Sequence, residues 1–159
     1  MKKIIYILSI TFLVLQSCSS GGDDNNTTNS NQTFLEKYAN TFWHNTSATP
    51  ADFDYYGFKN ETFFLQISYI ETDNNNQVVC GKIQEGVNTD EGVNYNVQIT
   101  KNSGNELWIK MDYPSESHIL KFTVNSSNNQ LVLLHFIGSQ LYTSETYNLS
   151  NLNYNSFCN

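Results

Sequence analysis

Arginine is absent from this chain, and all eight basic residues are lysine. That removes the usual bidentate partner of carboxylates and phosphates and the commonest reader of DNA bases. Fifteen acidic residues outweigh the lysines. An acidic chain without arginine is a poor match for nucleic acid or for an anionic membrane surface. Proline is limited to Pro50 and Pro114. No Cys-x-x-Cys, His-x-His or His-x₃-His spacing occurs, which argues against redox and zinc chemistry. No Gly-x-Ser-x-Gly occurs either, so the nucleophile elbow of the common serine hydrolases is missing. The expectation is a chain with no metal, no cofactor and no catalytic residue. The expected role is binding and not catalysis.

What is present begins at the N-terminus. Met1-Lys2-Lys3 leads into an apolar run from Ile4 to Leu15, interrupted by Ser9 and Thr11. A membrane-spanning helix needs about 20 apolar residues, so this run is too short to cross. It ends at Leu15-Gln16-Ser17-Cys18. Two lysines, an apolar stretch and a small residue before cysteine make an export signal. The tetrapeptide resembles the lipobox of bacterial lipoproteins. That resemblance implies residues 1–17 as a signal peptide, cleavage before Cys18, a diacylglyceryl thioether on its sulfur and an acylated amine. A lipid bilayer would then be the first partner. Acyl chains anchor by about 0.8 kcal/mol per buried CH₂, and two or three together hold firmly.

The mature chain keeps six lysines against fifteen carboxylates, a formal charge of −9. Cys80 and Cys158 remain after Cys18 is assigned to lipid. In an exported protein the simplest arithmetic pairs them, and two free thiols are the alternative. Closing so long a loop stabilises by about 4–5 kcal/mol in the chain-entropy picture.

Residues 18–33 are small and polar and cannot bury enough surface to order themselves, so they read as a tether. Cys18-Ser19-Ser20-Gly21-Gly22-Asp23-Asp24 resembles the start of many lipoproteins of Bacteroidota. The acidic pair implies an outer-membrane location with display at the cell surface. The periplasmic face is the alternative.

Residues 34–159 form the expected folded domain, of normal size for one core. Phe34–Asn40 follows Thr33, with Glu36 three residues on, a capping-box pattern for a short helix. Everything after it reads as β. Runs are expected at Thr41–Asn45, Tyr55–Lys59, Thr62–Ile70, Gln77–Ile83, Val93–Thr100, Leu107–Met111, His118–Val124, Leu131–Ile137 and Leu141–Tyr147. Several alternate apolar and polar residues at period two, most clearly Val93, Tyr95, Val97 and Ile99. Glu85–Gly92 reads as a Gly/Asn/Asp loop, and Asn-rich turns separate the other runs. Short strands with turns every 8–12 residues predict an all-β fold. Consecutive short hairpins favour an antiparallel up-and-down barrel of about eight strands with a short N-terminal helix.

The helical lead-in Phe34-Leu35-Glu36-Lys37-Tyr38, followed by Thr41-Phe42-Trp43, resembles the opening of lipocalins and of lipocalin-like lipoproteins. Asp112-Tyr113 resembles the second lipocalin motif between the sixth and seventh strands. Thr41 stands where the family has glycine, and Met111 where it has threonine. The resemblance implies a lipocalin-like cup for a small apolar or glycan-like ligand, with Trp43 structural.

The aromatic residues supply the candidate ligand contacts: Tyr56, Phe58, Tyr69, Tyr95, Trp108 and Phe122. Packing in the core is the competing role for each. His118 and His135 fall on strands paired across Asn125–Asn129 and so could be neighbours, but ordinary strand positions are the expectation for both. Asp52–Asp54 and Asp73–Gln77 look like calcium loops but lack the later Gly and bidentate Glu, so solvated turns are expected. Asp90, Glu91 and Glu116, the candidates for paired glycosidase carboxylates, fall in loop signals, where solvation is the default. The expectation is thus a monomeric, membrane-anchored binding module. An envelope assembly component without a small ligand is the alternative, and an envelope glycan hydrolase comes last.

Overall fold

The structure is a computed structural model. It describes residues 32–45, 55–60, 65–72 and 78–151, without the side chains of 60, 65–68, 70–72 and 78. The expected signal peptide, nearly all of the tether, both calcium-like loops and Cys158 lie outside these residues.

Helix α1 spans Phe34–Lys37, and its capping box is present. The Thr33 hydroxyl accepts from the Glu36 amide at 3.3 Å, and the Glu36 carboxylate accepts from the Thr33 amide at 2.8 Å. These bonds hold the Glu36 carboxyl below its usual range. One turn is too short to be stable alone, so its packing must hold it. Phe34, Leu35 and Tyr38 are all buried.

Ten strands follow: β1 Phe42–His44, β2 Tyr55–Asn60, β3 Leu65–Thr72, β4 Val78–Gln84, β5 Gly86–Asp90, β6 Val93–Ser103, β7 Glu106–Asp112, β8 Ser117–Val124, β9 Gln130–Ile137 and β10 Gln140–Ser150. They form one sheet in the order β4-β3-β2-β1-β10-β9-β8-β7-β6-β5. Every pairing is antiparallel, and every pair is consecutive in sequence except β1 with β10. The sheet curls into a barrel whose two end strands, β4 and β5, have no ladder between them.

The up-and-down barrel read from the sequence is the one that forms. Ten strands build it rather than about eight, and one correction is specific. Glu85–Gly92 was expected as a loop, yet Gly86–Asp90 pairs with Val93–Val97 as β5. Its inward position Asn88 is polar, and its outward Val87 is exposed, so no apolar alternation marks it. The Asn88 side chain replaces the missing ladder at the corner. It accepts from the Gln84 amide at 3.0 Å and donates to the Gln84 carbonyl at 2.7 Å.

Inner and outer faces follow the period-two pattern. Leu107, Ile109 and Met111 on β7, and Leu120, Phe122 and Val124 on β8, point into the core with Leu131 and Leu133 on β9. Helix α1 closes one end of this core. Phe34 meets Phe58 edge-on at 5.0 Å, and the Tyr38 hydroxyl lies 2.9 Å from Asn105 Oδ1 and 2.8 Å from Asn128 Oδ1. Trp43 is fully buried. Its Nε1–H donates to the Thr41 hydroxyl at 2.9 Å. The Thr41 hydroxyl thus satisfies a polar group that burial would otherwise orphan.

Candidate ligand site at the open end of the barrel

The end opposite α1 is framed by two tight connections. The β5–β6 turn passes through Glu91 (φ 45°) and Gly92 (φ 84°). The β7–β8 turn, Tyr113 to Glu116, is closed by the Tyr113 amide donating to the Glu116 carbonyl at 2.9 Å. Between them lies an open cleft of about 610 Å³, lined by Asp90, Glu91, Val93, Tyr113, Pro114, Ser115, Glu116 and His118. Three carboxylates read from the sequence as separate solvated loop residues therefore share one wall.

Behind the cleft, the inner face carries a run of polar groups. His118 on β8 and His135 on β9 are inward neighbours, with His135 Nε2 3.0 Å from His118 Nδ1. The other nitrogen of His118, Nε2, lies 3.1 Å from Glu116 Oε1. The two rings were expected as ordinary strand residues, and the register instead makes them one unit. Burial and the neighbouring His118 push the His135 proton affinity below the ordinary histidine range, against a smaller opposing pull from Glu145. Glu145 on β10 faces inward too, because it shares a register with Leu133. It accepts from the Tyr147 hydroxyl, and from the Thr143 hydroxyl at 3.2 Å.

Across the mouth, Tyr95 stacks on Tyr113 with centroids 4.4 Å apart. Burial first, then Tyr113, Asp90 and Tyr69, push the Tyr95 phenol up to about 12. Tyr69 reaches this group from β3 because its partner on β4 is Gly81. A Cβ there would lie 2.1 Å from the Tyr69 ring.

The six aromatic candidates divide. Tyr95 and Tyr69 belong to the mouth. Tyr56 is half-buried and packs edge-on against Phe122 and Tyr147, both at 5.2 Å. Phe58 and Phe122 are fully buried beside α1 and are core, not lining. Trp108 is a correction. It alternates with buried Leu107 and Ile109 and so faces outward, between Lys101 at 4.8 Å and Lys121 at 4.3 Å. Period two places its face, but no residue type in the strand says which face is the inner one. Cys80 is exposed on β4 and is not a free thiol. Missed in the sequence were Tyr113 and Glu145, while the neighbouring of His118 and His135, there only the lesser alternative, is what forms. The pairing of His118 and His135 strands across Asn125–Asn129 was the available signal. No group of three metal-ligating side chains occurs among the described residues.

No protein-family model matches this chain, and no curated protein sequence matches it. Similar solved structures are those of the fluorescent protein UnaG. The wild-type crystal structure gives a TM-score of 0.52 at 11% identity and covers 73% of this chain and 99% of that one. Two single-site mutants of it give 0.51 at 10% and 12% identity, each covering 74% of this chain and 99% of that one. At such identities the likeness shows the fold alone: this chain shares an antiparallel β-barrel with UnaG.

Proposed function

We propose that this chain is a lipid-anchored, extracytoplasmic binding module whose open end takes a small apolar or glycan-like ligand. The observation that carries the reading is the cleft of about 610 Å³ set over aromatic walls and a few convergent polar groups. That combination is the usual character of a small-molecule site. The cup is shallow. Phe34, Trp43, Leu107, Phe122 and Leu131 fill the α1 end, so the ligand sits at the mouth. In this reading the site binds without turnover, and the imidazole pair joins Glu116 in forming its polar wall.

Anchoring rests on Leu15–Cys18 and the polar tether, with Cys80 joined to Cys158 and display at the cell surface. Titrating the purified mature chain with Nile red tests the cup. Saturable, blue-shifted emission that Tyr113→Ala weakens is the expected result, and unsaturable emission would remove the site. Palmitate labelling of cells tests the anchor: label on the wild type and none on Cys18→Ala.

The alternative, an envelope assembly component, draws on the outer face. There Trp108 and Phe136 flank Lys121, with Leu141 exposed nearby on β10. Cross-linking in cells that Trp108→Ala abolishes, with Nile red binding unchanged, would favour it.

A further inference from the structure

The charge of the barrel is sorted by face, and the sorting limits what the cup accepts. All five strand lysines, Lys59, Lys82, Lys101, Lys110 and Lys121, alternate to the outer surface by register. Lys101 and Lys110 there pair with Glu106 and Asp112, and Lys121 lies over the rings of Trp108 and Phe136. The chain has no arginine to place inside. The inner mouth holds Asp90, Glu116 and Glu145 in their stead, with Asp90 acting on the Tyr95 and Tyr113 phenols.

The histidine pair extends this bias. A carboxylate only accepts, so the Glu116 contact places a proton on His118 Nε2. In the neutral ring His118 Nδ1 then accepts, and His135 Nε2 donates to it. This assignment leaves His135 Nδ1 with a lone pair. The inner surface therefore presents acceptors from Glu116 through His135 to Glu145, with no cation to neutralise an acid.

We infer that the cup, if it binds as proposed above, selects ligands whose polar end is a hydrogen-bond donor or an amine cation and discriminates against carboxylate-headed ones. An apolar tail would lie on Tyr95, Tyr113 and Val93. An acid head would meet the carboxylates of Asp90 and Glu116 at the cleft, with Glu145 behind them beside His135, and no lysine or arginine among them. A buried donor set would have inverted this preference.

The test uses the full mature chain at neutral pH and two dansyl probes on the same alkyl chain, one ending in a carboxylate and the other in a primary amine. The amine probe is expected to bind about tenfold tighter or better. Replacing Asp90→Asn together with Glu145→Gln should bring the two affinities within about threefold. A wild-type circular dichroism spectrum and a cooperative urea transition show that the doubly substituted barrel is intact. Equal binding of both probes, or tighter binding of the acid, overturns this inference and leaves the cup standing. Failure of Nile red and both probes to bind the wild type removes the cup and the inference together.

Discussion

At Gly81 a hydrogen stands where any other residue would place a carbon inside the ring of Tyr69, 2.1 Å from its nearest atom. Gly81→Ala must therefore push Tyr69 off β4 and away from Tyr95. Overpacking of this kind costs about 1–3 kcal/mol. A lower urea midpoint with unchanged slope is the expected result, and Tyr69→Leu in the same chain should recover most of it. The sequence showed Tyr69 as one aromatic among many. The glycine that lets it lie flat sits on another strand, so only the register reveals the pair. His135 makes a second residue-level case. Its folded proton affinity lies below the ordinary value of 6.5, so the unfolded chain takes up the proton first. Stability is then full above that value and falls as pH drops through it. Burial lowers His44 in the same direction. His135→Gln should flatten, though not abolish, the loss of denaturation midpoint between neutral pH and about pH 5. A profile as steep as the wild type's would show that the imidazole pair does not set it.

Helix α1 shows how much an element can owe to its surroundings. Its start was legible because Thr33 and Glu36 are local chemistry, three residues apart. Its role as the plug of one barrel end was not, because the partners Phe58, Asn102, Asn105 and Asn128 come from β2, β6 and two turns. Thr33→Ala loses one reciprocal cap at an exposed end and should cost about 0.5–2 kcal/mol. Phe34→Ala leaves a hole in a fully buried site and should cost about 3–5 kcal/mol. Chemical denaturation of both single variants checks the ranking, and equal costs would mean that the plug is only loosely seated. Strand β5 is the opposite case. It was hidden because Asn88 supplies its inward contact through a side-chain amide, where sequence patterns look for an apolar residue. Strands β6 to β9 were legible for the complementary reason. Their inner positions alternate Tyr, Val, Ile, Leu, Phe and Met at period two, and the hairpins between them are short.

For the whole molecule, the fold class could be read from hairpin spacing, but the sorting of lysine from carboxylate between the two faces could not. Any strand can be turned over by a one-residue shift, and only the assembled sheet says which side holds the core. The gap between β4 and β5 was equally invisible. Eight strands are flanked by hydrogen-bonded neighbours on both sides, while β4 and β5 have one neighbour each. Deuterium uptake should therefore begin in β4 and β5 and reach β9 and β10, the two central strands of the sheet, last. Asn88→Ala should speed the first phase and leave the last untouched, and uniform uptake around the ring would contradict the order. A wall with one unlaced seam breathes sideways. If the cup binds as proposed, a molecule too long to enter past the tyrosines at the top has a second way in, and the rate at which the seam parts would set how fast it arrives and leaves.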